Sequence, residues 1–324
     1  MEKTIRWGIL GAGKIAEKFT AALNYTEGAT AYAIASRDGE KAKQFAAKHN
    51  MAKHYDNYES LVKDDEIDII YIATPHAFHC EQSLLCLEHK KPVLCEKPIA
   101  MNETELQQMI SAAKKNDTFL MEGMWSRFMP STKKILELIA NDVIGPVQYF
   151  TADFGFQAPY DPNGRLFNVA LGGGSLLDIG VYPIFFTSLL MGEPETILST
   201  AKLAPGGADE YCNILFRYKD GATAHIFSCL TLKTSLAGEI VGTKGRIEMH
   251  NPFYRATKLT LHLNTGETEE FSFPHELNGF EYEIREVMDS LSKGLKECPA
   301  MPHTTSLLMA KTMDTIREQC GIVY

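Results

Sequence analysis

Small residues near the amino terminus are spaced as in a phosphate-binding turn. The sequence G-I-L-G-A-G-K-I-A contains Gly11-x-Gly13-x-x-Ala16 directly after an apolar, strand-like segment. Gly11 permits a tight turn, Gly13 lets the backbone approach a pyrophosphate, and Ala16 allows a helix to pack closely on a sheet. The free N–H groups at the start of that helix, where Lys14 and Ile15 lie, would bind the phosphates of a dinucleotide.

The end of the second predicted strand distinguishes NADP from NAD. An acidic residue there would hydrogen-bond the ribose 2′-OH of NAD. The chain instead has Ser36-Arg37, with Lys41 one helical turn further on, and a guanidinium binds a 2′-phosphate through paired hydrogen bonds. We therefore expect NADP(H) rather than NAD(H). The other interpretation of Arg37 is an exposed arginine at a helix entry, beside the candidate cap Asp38.

The segment Thr-Pro-His-Ala-Phe-His follows another predicted strand, at residues 74–79. In open α/β sheets, ligands bind outside the carboxyl ends of the strands. We therefore expect Thr74, Pro75, His76 and His79 to contact the cofactor. For either histidine the alternative is an ordinary loop or helix-start residue. For His79 the sequence supports that alternative at least as well as cofactor binding.

Glu96-Lys97-Pro98 ends the next strand. A lysine at this edge of the sheet would lie near the nicotinamide end of a dinucleotide, and we expect Glu96 and Lys97 to contact the cofactor. Pro98 keeps the residue before it extended. Taken alone, the tripeptide could be a turn that ends a strand.

Strand-like and helical segments alternate through residues 1–125. Apolar runs rich in β-branched residues alternate with segments of helical spacing: strands at 4–10, 30–35, 67–73, 92–95 and 119–121, and helices at 15–23, 40–49, 78–89 and 103–115. This order predicts βαβ units and a doubly wound parallel sheet, the Rossmann architecture, within an overall α/β fold class.

Residues 126–324 predict an α+β domain that supplies the substrate pocket. The predicted strands lie at 147–154, 195–203, 211–218, 223–232, 238–241 and 259–263, and the helices at 131–141, 175–191, 281–295 and 306–320. Short turns between strands predict a large, open, mostly antiparallel sheet. We expect a closing helix to pack back on the first domain. Because one face of an open sheet has to be covered, we expect a homo-oligomer, a dimer through this sheet.

Composition excludes several classes of function. The formal net charge of -9 argues against binding to nucleic acids or to anionic membranes. The densest apolar run, 184–191, is much shorter than the ~18 residues of a membrane-spanning helix, and the amino terminus has no signal-peptide core. We therefore expect a cytoplasmic protein. The 7 cysteines have no CxxC spacing, so buried thiols are expected and no metal site.

Three of these motifs together resemble the glucose–fructose oxidoreductase/inositol dehydrogenase/MocA (Gfo/Idh/MocA) family: the glycine turn, residues 73–79 and the Glu-Lys-Pro triplet, which is the most specific of them. Residues 121–130, 172–182 and 301–303 resemble the subgroup of dimeric dihydrodiol dehydrogenases and NADP-dependent xylose dehydrogenases. The resemblance covers nearly the whole chain.

The resemblance implies that Lys97 lies beside the substrate hydroxyl and the nicotinamide, and that Asp178 and Tyr182 face it from the second domain. Their i, i+4 spacing is consistent with one helix face. Many relatives carry His where this chain has Tyr182, which matches the subgroup and counts against an inositol dehydrogenase. The alternatives are a capping box formed by Ser175 and Asp178, and a Tyr182 that is simply a buried aromatic residue.

These groups permit hydride transfer coupled to proton transfer. We expect Tyr182 to be the general acid/base and Lys97 to favour its phenolate by lowering its pKa, although the two roles could be exchanged. Trp125, Arg127 and Phe154 are further candidates for the substrate pocket, where aromatic walls and an arginine suit a sugar or a ring diol. For these three the alternative is ordinary packing between domains.

The sequence thus predicts an NADP(H)-dependent oxidoreductase that transfers a hydride between the nicotinamide and a carbinol or carbonyl carbon of a sugar or vicinal diol. One alternative is an NAD-linked polyol dehydrogenase, against which Ser36-Arg37 argues. Another is a catalytically silent dinucleotide-sensing protein, which would be expected to lack Lys97 or Tyr182. The substrate and the physiological direction stay open.

Overall fold

The chain forms two compact units in a computed structural model that describes residues 4–324. The first unit combines the chain up to Trp125 with Glu276–Ser306, and the second combines Ser126–His275 with Leu307–Tyr324. Residues 1–3, which open the first predicted domain, lie outside the described part. Residues 276–306 pack in the first unit, although the sequence predicts them in the second domain.

The first unit is built on a 6-stranded parallel sheet. Its strands are β1 (Ile5–Leu10), β2 (Ala29–Ala35), β3 (Lys53–Tyr55), β4 (Ile69–Ile72), β5 (Val93–Glu96) and β6 (Leu120–Gly123). They lie in the order β3-β2-β1-β4-β5-β6, and every neighbouring pair is parallel. The predicted doubly wound parallel sheet is confirmed. Its strand order reverses beside β1, the position where such sheets bind ligands.

Helices connect these strands: α1 (Lys14–Tyr25), α2 (Gly39–Lys48), α3 (Tyr58–Val62), α4 (His79–Glu88) and α5 (Glu103–Lys115). Side-chain caps explain where α2, α3 and α5 begin, because Asp38, Asn57 and Asn102 each accept a hydrogen bond from a first-turn N–H. All four residues of β4 are buried, as expected for a parallel strand that is covered on both faces.

The second unit is built on an 8-stranded sheet. Its strands are β7 (Val147–Gly155), β8 (Thr196–Leu203), β9 (Asp209–Arg217), β10 (Thr223–Cys229), β11 (Gly238–Gly242), β12 (Gly245–Met249), β13 (Lys258–Leu263) and β14 (Thr268–Ser272). They lie in the order β14-β13-β12-β11-β7-β10-β9-β8, and all neighbours are antiparallel except β10 and β7. The predicted large, mostly antiparallel sheet is confirmed.

The remaining helices are α6 (Pro130–Ala140), α7 (Val181–Met191), α8 (Phe280–Ser292) and α9 (His303–Cys320). A π-helical turn, Leu176–Gly180, leads into α7, which packs on β7 and β10. In the first unit, α8 packs on α1, and α9 belongs to the second unit from Leu307 onward.

The helical stretch Val169–Met191 is long and apolar enough to cross a membrane by length and composition, with a mean hydropathy of 1.5. However, 83% of its most apolar window is buried inside the protein. The densest apolar run in the sequence, 184–191, is shorter than this stretch. The polar residues Ser175 and Asp178 precede that run, and both are themselves buried. The stretch therefore has the character of a core helix.

Candidate active site

The glycine turn after β1 is tightly packed and leaves the start of α1 uncapped. Gly11 has φ +102, and a Cβ built on it would lie 3.0 Å from the Ala73 carbonyl oxygen. Only glycine fits this position. No side chain caps α1 at Gly13, so the first N–H groups of the helix are available to an anion. Lys14 is exposed at the same place and Ile15 is half-buried. This donor set fits a pyrophosphate.

The end of β2 presents Arg37 to solvent. Its guanidinium lies 5.1 Å from the centre of the Phe78 ring. Ser36 is buried, and its hydroxyl accepts a hydrogen bond from the Asp38 N–H at 3.2 Å. Asp38 in turn accepts from the Lys41 N–H at 3.0 Å and so caps α2. The neighbouring acidic side chain of Asp38 is thus used in the cap, and a cationic group lies at the position that discriminates NADP from NAD.

The loop after β4 is joined to the loop after β5 by a buried histidine. The His79 side chain is fully buried. Its ring nitrogens lie 2.8 Å from the Pro98 carbonyl oxygen and 2.9 Å from that of Thr74. Burial lowers the pKa of His79, whereas the two carbonyl oxygens oppose that shift. Because both nitrogens face backbone, this geometry favours a role in holding the two loops together. His76, also buried, lies at the start of the same segment.

Lys97 follows β5, next to a buried carboxyl group. The Glu96 side chain accepts hydrogen bonds from the Tyr71 hydroxyl and from the Lys97 backbone N–H. Burial raises the pKa of Glu96, and the hydrogen bond from Tyr71 and the charge of Lys97 lower it. The Glu96 side chain therefore binds Tyr71 on the neighbouring strand β4, and its hydrogen bond with the Lys97 N–H stabilises the turn that contains Lys97.

Two more glutamates form a buried cluster with Glu96, which we call the carboxyl cluster: Glu96, Glu122 and Glu283. Glu122 accepts from the Ile99 N–H at 3.2 Å. Glu283, on α8, is fully buried, and neither of its oxygens has a hydrogen-bond partner within residues 4–324. Burial, and then Glu96 and Glu122, raise the pKa of Glu283 well above its ordinary value. The sequence gives no signal for this cluster, because its members lie far apart along the chain.

Asp178 is held by an arginine from the loop that precedes it. Arg165 Nη1 donates to Asp178 Oδ1 at 2.7 Å, and Nη2 donates to Oδ2 at 3.3 Å. The Asp178 side chain is almost buried and that of Arg165 is half-exposed. The predicted capping box is not formed, since the Ser175 side chain makes no hydrogen bond to the helix start. Its hydroxyl donates to Asp209 instead.

Tyr182 lies in an aromatic cluster of the second unit. Its ring centre is 5.6 Å from that of Phe154 and 4.9 Å from that of Tyr254. Phe154 and Tyr254 stack at 4.5 Å with an interplanar angle of 8°. The predicted placement of Asp178 and Tyr182 on a regular helix needs correction, because Asp178 lies in the π turn and only Tyr182 lies in α7. Tyr254 was not predicted from the sequence.

Of the remaining pocket candidates, Trp125 belongs to the first unit and Arg127 to the second. The Trp125 ring stacks on Phe280 with centres 4.6 Å apart, and Arg127 is half-buried. The first unit therefore brings together the glycine turn, the two loops and Lys97. The second brings together Phe154, Asp178 and Tyr182.

Comparison with known families gives matches in both units. Residues 5–124 match a family model described as an oxidoreductase family with an NAD-binding Rossmann fold. Residues 132–248 match the GFO/IDH/MocA C-terminal domain.

Similar proteins cover almost the whole chain. Trans-1,2-dihydrobenzene-1,2-diol dehydrogenase of Xenopus tropicalis is 38% identical over 331 residues, which cover 98% of this chain and 99% of the relative. The Homo sapiens enzyme of the same name is 35% identical, with 99% and 98% covered. Among solved structures, a 3-ketoreductase from Actinomadura kijaniata in complex with TDP-benzene and NADP is 25% identical with a TM-score of 0.85, and 98% of each chain is covered. An aldose-aldose oxidoreductase from Caulobacter crescentus, 24% identical, has a TM-score of 0.89 over 98% of each chain.

Proposed function

Because the chain belongs to the GFO/IDH/MocA family of oxidoreductases, we propose that it is an NADP(H)-dependent dehydrogenase of sugars or vicinal diols. It would transfer a hydride between the nicotinamide and a carbinol or carbonyl carbon. The observation that carries this proposal is the surroundings of Tyr182, a proton-transferring group packed against the flat aromatic pair of Phe154 and Tyr254. Such a wall suits the apolar face of a ring substrate.

The preference for NADP(H) rests on Arg37. Its guanidinium is exposed at the end of β2, and the neighbouring Asp38 is occupied as a helix cap. A cation at this place favours a 2′-phosphate over a free 2′-hydroxyl. The similar 3-ketoreductase was solved with NADP, which supports the same preference for this chain.

When bound, NADP would supply the carbon that accepts or donates the hydride. The amides at the start of α1 would bind its pyrophosphate, and Thr74, Pro75 and His76 would contact it along the carboxyl ends of the strands. In this proposal, Tyr182 exchanges the proton of the substrate hydroxyl, and the ammonium of Lys97 stabilises the oxygen as its charge changes. Asp178 would bind a substrate hydroxyl next to the reacting carbon.

The vicinal diol is the preferred substrate class within this proposal. A carboxylate such as Asp178 accepts hydrogen bonds from hydroxyl groups, and Arg127 donates them. The relatives that cover almost the whole chain are named as dehydrogenases of trans-1,2-dihydrobenzene-1,2-diol, a vicinal diol on a six-membered unsaturated ring. Such a ring suits the stacked rings around Tyr182.

We also propose a dimer formed through the second sheet, in the cytoplasm. Leu198 of β8 and Leu215 of β9 are paired in register, and both are well exposed, by 59% and 41%. An apolar pair on an open sheet face favours burial against a second copy. Light scattering at several protein concentrations would test the assembly.

A turnover assay tests the enzymatic proposal. NADP⁺ reduction would be followed at 340 nm in a screen of pentoses, hexoses, polyols and cyclic diols, and NADPH oxidation would be followed with dicarbonyls. Tyr182→Phe and Lys97→Met should each lower kcat by about 100-fold or more, with little change in NADPH affinity. Tyr218→Phe is the matched control, because Tyr218 is similarly buried and its hydroxyl has no hydrogen-bond partner in the described part of the chain. Near wild-type turnover in either variant would overturn the assignment.

A further inference from the structure

A buried carboxylate from a neighbouring strand holds the beginning of the segment that carries Asp178 and Tyr182. Asp209, the first residue of β9, is fully buried. Its Oδ2 accepts hydrogen bonds from the Ser175 hydroxyl at 2.6 Å and from the Leu176 backbone N–H at 2.7 Å. The amide at the start of the π turn is thus satisfied by a residue that lies 33 positions further along the chain.

The other groups around Asp209 are also donors. The Cys212 thiol lies 3.4 Å from Oδ2, and the Tyr324 hydroxyl lies 3.4 Å from Oδ1. The two oxygens of a carboxylate have enough acceptor sites for all of these groups. Burial raises the pKa of Asp209, and the hydrogen bonds from Ser175 and Leu176 lower it. The network therefore counteracts the cost of burying the charge.

The fit around this carboxylate is close. Gly174 has φ +130, and a Cβ at that position would lie 2.1 Å from Asp209 Oδ1. A side chain at residue 174 would therefore displace the carboxylate. The Ser175 hydroxyl lies 2.9 Å from that of Ser228 on β10. Side chains from two strands, β9 and β10, therefore contact Ser175. Side chains on the sheet therefore fix the start of the segment, in addition to the backbone hydrogen bond from the Asp178 N–H to the Gly174 carbonyl at 3.3 Å.

The segment that follows is a π turn, Leu176–Gly180, and then α7. π turns are rare and have less favourable hydrogen-bond geometry than an α-helix, and they often occur at functional sites. Asp178 lies within this turn, and Tyr182 lies just beyond it. Displacement of the Leu176 amide would therefore be transmitted to both side chains.

We infer that Asp209 is a positioning residue for the dehydrogenase reaction: by accepting hydrogen bonds from Ser175 and Leu176, it fixes the π turn so that Asp178 and Tyr182 keep their reactive orientation. This inference rests on the proposed function of Tyr182. Asp209 itself does not contact substrate or cofactor in this scheme. Its effect should appear in the chemical step and not in the binding of NADP(H), because the cofactor-binding residues belong to the first unit.

The test compares Asp209→Asn with a matched control, Asp153→Asn. Asp153 also accepts from a serine hydroxyl and the following leucine amide, Ser235 and Leu236, in the second unit, but it holds a different loop. Asp209→Asn should lower kcat by about 10- to 100-fold, the effect of a displacement of about 1 Å at a reacting group, with the NADPH dissociation constant changed less than twofold. Asp153→Asn should leave kcat within twofold of wild type. Equal kcat values in the two variants would overturn the inference.

A double-mutant cycle with Tyr182→Phe separates positioning from a general loss of structure. If Asp209 acts through Tyr182, the Asp209→Asn change should have little further effect once the Tyr182 hydroxyl is removed. If instead the losses in kcat caused by the two single substitutions multiply in the double variant, Asp209 acts independently of Tyr182, and the inference is refuted. If Tyr182→Phe alone keeps full turnover, the proposed function fails, and the inference fails with it. Should Asp209→Asn not fold, as judged by NADPH binding and thermal unfolding, Ser175→Ala removes one bond of the same network. It should likewise lower kcat and leave the NADPH dissociation constant within twofold of wild type.

Discussion

Arg165 holds Asp178 in a two-point contact, with Nη1 2.7 Å from one carboxylate oxygen and Nη2 3.3 Å from the other. The pair joins the loop before the π turn to the turn itself. The Asp178 side chain is 9% exposed, whereas that of Arg165 is 49% exposed. The arginine thus partly covers a carboxylate that would otherwise be costly to bury.

Arg165→Gln should destabilise the protein and lower kcat/KM together. Loss of the guanidinium removes two charge-assisted hydrogen bonds from an almost buried carboxylate, which costs about 1–3 kcal/mol of the unfolding free energy. Urea unfolding and steady-state kinetics would measure the two effects. Arg217→Gln is the control, because its ion pair with Glu195 is exposed on both sides and should contribute less than about 1 kcal/mol. Equal stability losses in the two variants would contradict the prediction.

Arg37→Ala should weaken NADPH binding by about tenfold or more and change NADH binding little, because only NADPH offers the 2′-phosphate that the guanidinium would bind. Quenching or enhancement of nicotinamide fluorescence on titration would give both dissociation constants in the same variant. The NADH affinity is the internal control. A parallel loss for the two cofactors would show that Arg37 serves the local structure through its contact with Phe78.

His79→Leu should raise the NADPH dissociation constant and lower kcat several-fold, since the ring joins the loop of Thr74 to that of Lys97 and Pro98. Leucine fills a similar volume but donates no hydrogen bond. His89→Leu is the control, because His89 lies at the opposite end of α4 from His79 and its Nδ1 contacts the Leu85 carbonyl of its own helix, at 2.9 Å. The prediction fails if the two leucine variants bind NADPH equally well.

The carboxyl cluster should make the protein less stable as the pH rises. Burial raises the pKa of Glu283 in the folded state, so the folded state binds this proton more tightly than the unfolded chain does. Stability is therefore fully present below the unfolded pKa and declines by up to about 1.4 kcal/mol per pH unit as the pH rises toward the folded value.

Glu283→Gln removes this dependence, so urea unfolding at pH 5, 6, 7 and 8 should show the variant gaining stability over wild type as the pH increases. Glu267→Gln, an exposed position, should run parallel to wild type at every pH. A constant difference between Glu283→Gln and wild type would mean that Glu283 keeps the same charge in both states.

The sequence predicted the elements whose residues form regular apolar patterns. Helix α5 occupies the predicted residues, Glu103–Lys115, because a cap, acidic residues in its first turn and lysines in its last turn mark both ends. Strand β3 was not predicted, because its residues, Lys53–Tyr55, lie at the sheet edge and include no aliphatic residue. Strand β14 was not predicted for a similar reason, since Thr268–Ser272 is largely exposed and polar.

The candidate site was predictable where the chemistry lies in a local motif, and not where it depends on contacts distant in sequence. Ser175 and Asp178 have the spacing of a capping box, but the hydroxyl of Ser175 binds Asp209 instead. The local sequence pattern gives no indication that Asp209 is the partner of Ser175. Likewise, the sequence does not distinguish Tyr254 from the other aromatic residues. Its role in the cluster is visible only from its stacking on Phe154 in the folded chain.

The two-part composition of the first unit has a consequence for synthesis on the ribosome. Its sheet ends with β6, whose Leu120 N–H donates to the Lys296 carbonyl, and its core is completed by Phe280 against Trp125 and Phe19. The nascent chain therefore releases every strand of the second sheet, as far as Ser272, before these partners emerge. Domains usually fold in the order of their synthesis. Here the unit that begins first is completed late, so the apolar rings of Phe19 and Trp125 lack their contact with Phe280 until then.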